Sequence, residues 1–175
     1  MFRWLFGVVI LLAGISAAHA ADDFRLSTLG YGPARFGMTL DEAAQALGVE
    51  LAVDGEIDEP LCYYAKPIAK PGGPAVGGLT VMLSQGRVVR FDVGAPGIRT
   101  RSGLGVGDSE AQVLATLRAQ SVEVTPHKYV APDGNYLTVW TADRQAALRF
   151  ETLNGKVTSF YAGRVPEVTY VEGCS

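Results

Sequence analysis

Residues 107–117 read GDSEAQVLATL and residues 37–47 read GMTLDEAAQAL. Aligned, they share the pattern G-x-[ST]-x-x-[EQ]-[AV]-x-x-x-L at an offset of 70 residues. A second match lies downstream. Gln85-Gly86-Arg87-Val88-Val89-Arg90-Phe91 parallels Asn154-Gly155-Lys156-Val157-Thr158-Ser159-Phe160 at an offset of 69, and each segment reaches a glycine three residues on, at Gly94 and Gly163. Two matches at nearly one spacing predict a tandem duplication of a unit of about 70 residues.

Each unit reads as a helix followed by an antiparallel meander. Leu40, Ala43, Ala44 and Leu47 fall at i, i+3, i+4 and i+7, which lays one apolar stripe along a short helix that Gly48 ends. Val113, Leu114 and Leu117 give the corresponding stripe in the second unit. Short strands are expected over 62–65, 79–83 and 87–93, then over 122–130, 136–141, 146–153 and 156–162. Asp133-Gly134 and Asn154-Gly155 favour the positive φ values of tight hairpins, and residues 67–78 read as a Pro/Gly-rich loop. The fold class is α+β: two tandem helix-plus-meander repeats, residues 21–98 and 99–175, packed as one domain with the helices on one sheet face.

Strand alternation assigns the faces. Val89, Phe91 and Val93, with Thr158, Phe160 and Ala162, are expected to face the helices, which turns Val88, Arg90, Asp92, Val157, Ser159 and Tyr161 to the other side. Leu137, Val139, Leu148 and Phe150 are the inward set of the two preceding strands. Their neighbours Tyr136, Thr138, Trp140, Arg149 and Glu151 point away. A helix-free face bearing Tyr136, Trp140, Tyr161, Arg90 and Arg149 has the composition of a recognition surface. The alternative is ordinary cross-strand packing beneath a loop.

The chain of 175 residues opens with MFRWLFGVVILLAGISAAHA, in which Arg3 precedes an apolar run and Ala18-His19-Ala20 supplies an A-x-A cleavage site. Residues 1–20 are therefore expected to be a secretory signal peptide, with no membrane anchor and a periplasmic or secreted product. Without them 14 basic residues face 18 acidic ones. That balance disfavours nucleic acid and anionic membrane surfaces as partners. In an oxidising compartment Cys62 and Cys174 are expected to pair, pinning the C-terminal tail onto the first half of the chain. Closing so long a loop restricts the unfolded chain by about 4 to 5 kcal/mol in the entropy account.

Gly107-Asp108-Ser109 also opens a group of serine hydrolases, so Ser109 is a candidate nucleophile. Such an enzyme needs a base and a group to orient it. Beyond the signal only His127 is a histidine; Val124 stands three residues before it, and no D-x-x-H pair follows. A simpler role is a helix cap, Ser109 with Gln112 repeating Thr39 with Glu42. The acidic run at 54–59 lacks the glycine and the twelfth-position carboxylate of a calcium loop, that position being Ala65. Gly103-Leu104-Gly105-Val106-Gly107 has no following lysine and is not a dinucleotide fingerprint. Arg87, Arg90, Arg99 and Arg101 cluster in sequence, but Arg87 and Arg90 alternate to opposite faces. No cofactor or metal is expected.

The Gly-x-[Ser/Thr] helix starts, the short strands that follow each and the VEGC ending at Cys174 resemble uncharacterised exported bacterial proteins. The unit also resembles that of the beta-lactamase inhibitor protein, whose two repeats form a concave sheet that grips an enzyme. Gly37-Met38-Thr39 is similar to the helix start of the small lipoprotein of the outer-membrane barrel-assembly machinery. The resemblance implies a fold and a habit of binding proteins, and it transfers no inhibitory residue. The expected function is a non-enzymatic module that binds an envelope protein through the open sheet face. A carbohydrate or cell-wall ligand stacking on the same aromatics is the alternative, and a small hydrolase using Ser109 or His127 is a third.

Overall fold

A computed structural model describes residues 24–55, 61–68 and 70–174. The expected signal peptide lies outside the described residues, as do positions 56–60 of the acidic run. The chain is a sheet-dominated α+β fold with twelve strands in two sheets and two helices among the described residues.

Helix α1 (Leu40–Leu47) starts where the sequence pattern places it. Thr39 Oγ1 accepts from the Glu42 amide at 3.2 Å and the Glu42 carboxylate accepts from the Thr39 amide at 2.8 Å, closing a capping box. Gly48, at φ 67°, ends the helix in the left-handed region. Helix α2 (Glu110–Thr116) is capped by Ser109, whose Oγ accepts from the Gln112 amide at 3.1 Å. Val113 and Leu117 are buried as expected, but Leu114 is exposed because the short helix turns it outward.

Four strands follow each helix: β4 (Glu50–Val53), β5 (Cys62–Ile68), β6 (Leu79–Ser84) and β7 (Arg87–Val93) after α1; β9 (Val122–Pro126), β10 (Asn135–Trp140), β11 (Ala146–Leu153) and β12 (Lys156–Arg164) after α2. They form one eight-stranded antiparallel sheet in the order β4-β5-β6-β7-β12-β11-β10-β9. The two meanders therefore join through their last strands, β7 and β12. Strand β4 was not anticipated. Nor was a small sheet made from β1 (Arg25–Ser27), β2 (Gly30–Tyr31), β3 (Ala34–Arg35) and β8 (Arg99–Thr100). Strands of two or three residues are too short to show an alternation.

One hydrophobic cluster unites Leu26 and Tyr31 of the small sheet, Ala43 and Leu47 of α1, Val113 of α2, and Phe91, Leu137, Phe150 and Phe160 of the large sheet. Two expectations about its membership fail for one reason. Val88 and Val157 belong to the cluster, whereas Val89 does not and Thr158 is exposed. The pairing register slips between Met82 and Leu83 opposite β7 and between Glu151 and Thr152 opposite β12, so each strand carries an extra residue that resets the alternation.

The hairpin turns also divide. Gln85-Gly86 (φ 50° and 72°) and Asn154-Gly155 (φ 49° and 72°) are both left-handed pairs of the tight-hairpin kind. Asp133-Gly134 is not such a turn, because β9 ends at Pro126 and a longer loop follows. Gly134 serves close approach instead: a Cβ there would stand 2.3 Å from the Thr152 carbonyl oxygen.

Candidate functional site

Cross-strand partners share a face, so the register lays out the side of the sheet turned away from the main cluster as rows. One row runs Tyr64, Met82, Arg90, Gly163, Ala147, Trp140. A second runs Thr80, Asp92, Tyr161, Arg149, Thr138, Glu123. A third, shorter row holds Ser159, Glu151, Tyr136 and Thr125. All five expected recognition residues lie on these rows.

Their exposure differs from the expectation. Arg90, Tyr136 and Tyr161 are buried, and Trp140 and Arg149 are half-buried. The reasons are the C-terminal tail, over Arg90, Tyr161 and Trp140, and the loop between β9 and β10, over Tyr136. After β12 the tail makes a 3-10 turn at Glu167–Thr169 and continues to Cys174, which is bridged to Cys62 of β5 with the Cα atoms 5.4 Å apart. Going from β12 to β5 means crossing β7 and β6, about 14 Å at normal strand spacing, so the tail must cross this face. Val168, fully buried, packs with Ala147, Tyr161 and Trp140.

Arg90 fastens the tail to the sheet. Its Nη1 donates to the carbonyls of Glu167 (3.0 Å) and Tyr170 (2.8 Å), and its Nη2 donates to the Tyr64 hydroxyl (3.3 Å). Nε and Nη2 also meet the Asp92 carboxylate at 3.1 and 2.8 Å. The guanidinium carbon sits 4.4 Å from the centroid of the Tyr161 ring. Burial disfavours the Arg90 charge, yet the Asp92 carboxylate holds its pKa above the ordinary value. Burial pushes the Asp92 carboxyl up, against the pull of Arg90. Gly163 makes the arrangement fit, because a Cβ there would stand 2.9 Å from Arg90 Cγ.

The other end of the face is closed by the loop between β9 and β10. His127 stacks on Tyr136, with centroids 4.4 Å apart and planes 21° apart, and its Nε2 lies 3.6 Å from Glu151 Oε2. Glu151 also accepts from the Tyr161 hydroxyl (3.0 Å) and from Ser159 Oγ (3.1 Å). Arg149 Nε donates to Thr138 Oγ1 at 2.9 Å and its guanidinium lies over Tyr136. Burial raises the hydroxyl pKa of both Tyr136 and Tyr161. Loop and tail meet where Lys128 Nζ pairs with Glu172 at 2.8 Å, and the Tyr129 hydroxyl bonds the same carboxylate. A cleft of about 470 Å³ opens there, bordered by Lys128 and by residues 169–173.

The accessible part of the face is the strip between tail and loop. Trp140 and Arg149 are half-buried on the sheet, and Tyr129 of the loop and Tyr170 of the tail are exposed. Sequence reasoning missed Tyr129 and Tyr170. The signal was present in the expected Cys62–Cys174 bridge, which draws the last ten residues across β7 and β6 to β5. Trp140 is itself constrained: its indole N–H donates to Glu123 at 2.8 Å, and Arg144 lies over its ring at 5.5 Å.

Ser109 and His127 are occupied in separate settings, Ser109 with the Gln112 amide and His127 with Tyr136, Glu151 and the Tyr129 amide, which donates to Nδ1 at 3.2 Å. Among the described residues no group of three or more histidine, cysteine, aspartate or glutamate side chains is arranged to hold a metal ion. No described helix is long and apolar enough to cross a membrane. The disulfide is compatible with a secreted or periplasmic protein.

No family model matches the chain, and no curated protein matches it. Among solved structures, an extracellular protein containing a SCP domain from Bacillus anthracis str. Ames aligns with a TM-score of 0.34 and 8% identity. The alignment covers 90% of this chain and 50% of that one, so this chain spans about half its length. Likeness at that level assigns neither fold nor activity.

Proposed function

We propose that the chain is an exported, non-enzymatic binding module that engages a protein of the cell envelope through the strip between its tail and the loop at 127–134. One observation carries this reading. The face turned away from the main core bears three rows of polar and aromatic side chains, and Arg90, Val168 and the disulfide tie the tail across it. A surface that presents a half-buried Trp and Arg, with exposed tyrosines on the two segments that cover it, has the composition of a protein-binding hot spot.

The module is read as two tandem repeats, with a helix over the same sheet face in each. Support comes from equivalent details at the spacing of the sequence match. The Gly37 amide donates to the Val88 carbonyl at 2.8 Å and the Gly107 amide to the Val157 carbonyl at 2.9 Å. Each β-bulge follows one of these valines, and each final hairpin uses the same left-handed turn. In this reading the architecture resembles that of the beta-lactamase inhibitor protein.

A protein partner is favoured over a sugar, because Glu123 holds the edge of Trp140 and Arg144 covers part of one ring face. Hydrolysis is disfavoured by the capping role of Ser109. The test is affinity capture from an envelope extract, with the retained protein identified by mass spectrometry and the Trp140→Ala/Arg149→Ala double variant as the comparison. The variant is expected to keep its circular dichroism spectrum and lose the partner. Retention of the same partner at wild-type yield would sink the proposal.

A further inference from the structure

Three arginines far apart in the chain meet around Phe36-Gly37. Arg164, at the end of β12, brings Nη1 to 3.8 Å from where a Cβ on Gly37 would stand. Arg87, at the start of β7, reaches the Gly37 carbonyl with Nη1 at 3.4 Å. Arg35 adjoins Phe36, and its Nη1 is anchored on the carbonyls of Gly32 and Ala34. Two carboxylates lie close, and both are already engaged. Glu42 holds the Thr39 amide at 2.8 Å and stands 3.8 Å from Arg87. Asp143 accepts from the Thr141 hydroxyl at 2.6 Å and the Gln145 amide at 3.0 Å. The Arg164 side chain makes no hydrogen bond or ion pair with another described residue. A chain of net charge -3 thus concentrates positive charge at one place.

The surface there is grooved. A groove of about 620 Å³ lies on one side of Phe36, with Leu29, Arg35 and Arg164 in its wall. Another of about 700 Å³ lies on the other side, with Met38, Ala46 and Arg87 in its wall. Phe36 lines both. Leu29, 59% exposed, offers apolar surface to the first groove.

We infer that the two grooves form one binding site for an extended acidic peptide segment. Its carboxylates pair with Arg35, Arg87 and Arg164, and its intervening apolar side chains lie against Leu29, Phe36 and Met38. Charge complementarity selects the sign of the ligand, and the layout selects its shape. Arg87 and Arg164 both reach Gly37 and Arg35 adjoins Phe36, while Leu29, Phe36 and Met38 line the grooves, so a chain carrying both carboxylates and apolar side chains gains contacts that a bare anion lacks. The site lies apart from the tail-covered face and stands whether or not that face binds a partner.

The probe is a fluorescein-labelled peptide of alternating aspartate and leucine, read by fluorescence anisotropy against the full oxidised chain at low ionic strength. Its asparagine–leucine counterpart is the control. The aspartate peptide is expected to bind and the control not to. Arg164→Gln, which removes a side chain with no internal partner and leaves the fold intact, is expected to weaken binding about five- to tenfold, and Arg35→Gln/Arg164→Gln further. Equal binding of the two peptides overturns the inference, as does unchanged binding by Arg164→Gln. So does displacement of the peptide by inorganic phosphate or by phosphatidylglycerol vesicles at equal anion concentration, which reassigns the site to a simple anion or a lipid surface.

Discussion

Arg90 lies over the ring of Tyr161, its guanidinium carbon 4.4 Å from the centroid, and the same guanidinium holds the tail carbonyls of Glu167 and Tyr170. One buried cation thus joins β7, β12 and the chain end. It works because Asp92 neutralises it and because Gly163 leaves room for its stem. The buried charge fixes where the tail runs, and so which part of the sheet face stays open.

Replacing Arg90 by methionine leaves Asp92 largely buried without its cation and frees two tail carbonyls. The expected loss of stability is about 3 kcal/mol, read as a shift of the urea midpoint. Arg90→Met/Asp92→Leu, which removes both charges, should recover most of it. A double variant no more stable than the single one contradicts the view that the unpaired carboxylate carries the cost.

Much of this arrangement follows from sequence alone, and the remainder fails for identifiable reasons. Alternation places Leu137, Val139, Leu148 and Phe150 in the core correctly, because β10 and the first part of β11 run without a register slip. It misplaces Val89 and Thr158 because a β-bulge adds one residue, and a parity argument has no defence against an odd insertion. The face residues are assigned to the right side but to the wrong environment. Alternation gives the direction of Arg90, Tyr136 and Tyr161; only the paths of the tail and of the loop between β9 and β10 show what lies above them. The arginine cluster at Phe36-Gly37 had no sequence signal, since its members come from three distant strands.

Reducing the disulfide, or substituting Cys174→Ser, should free the tail end while Arg90 still holds its middle. A loss of about 2 to 4 kcal/mol is expected, with faster deuterium uptake over 171–174 than over the 3-10 turn at Glu167–Thr169. Uptake by β10 and β11 should change little, because their ladder does not involve the tail. Uniform exchange along the whole tail would show that the bridge, and not Arg90, positions Glu167 and Tyr170.

Ser109→Ala removes the oxygen that accepts from the Gln112 amide and should cost about 1 kcal/mol. Ser109→Asp should restore the cap, which separates capping from any need for a hydroxyl. Thr39→Ala should cost about as much, because it removes the acceptor of the Glu42 amide while the Thr39 amide keeps its bond to the Glu42 carboxylate. Equilibrium urea denaturation of the three variants decides. An unchanged midpoint for Ser109→Ala would leave the recurring Ser/Thr at the helix starts without its physical explanation.

Alkaline pH should unfold the protein through its buried tyrosines. Burial raises the Tyr31 hydroxyl to about 12, against roughly 10 for a phenol in the unfolded chain, and it raises Tyr64, Tyr136 and Tyr161 as well. A hydroxyl whose pKa is higher in the folded state gives its full contribution below the unfolded value and loses it as pH climbs toward the folded one. For Tyr31 that window runs from pH 10 to about 12, and a shift of about two units corresponds to roughly 2 to 3 kcal/mol. Tyr31 also donates to the Ala75 carbonyl, a bond its phenolate cannot make. Stability measured by urea denaturation at fixed salt should therefore fall above pH 10. In Tyr31→Phe, which has no hydroxyl to ionise, the fall should be shallower by about that amount. An identical slope in wild type and variant would mean that Tyr31 does not contribute to the alkaline transition.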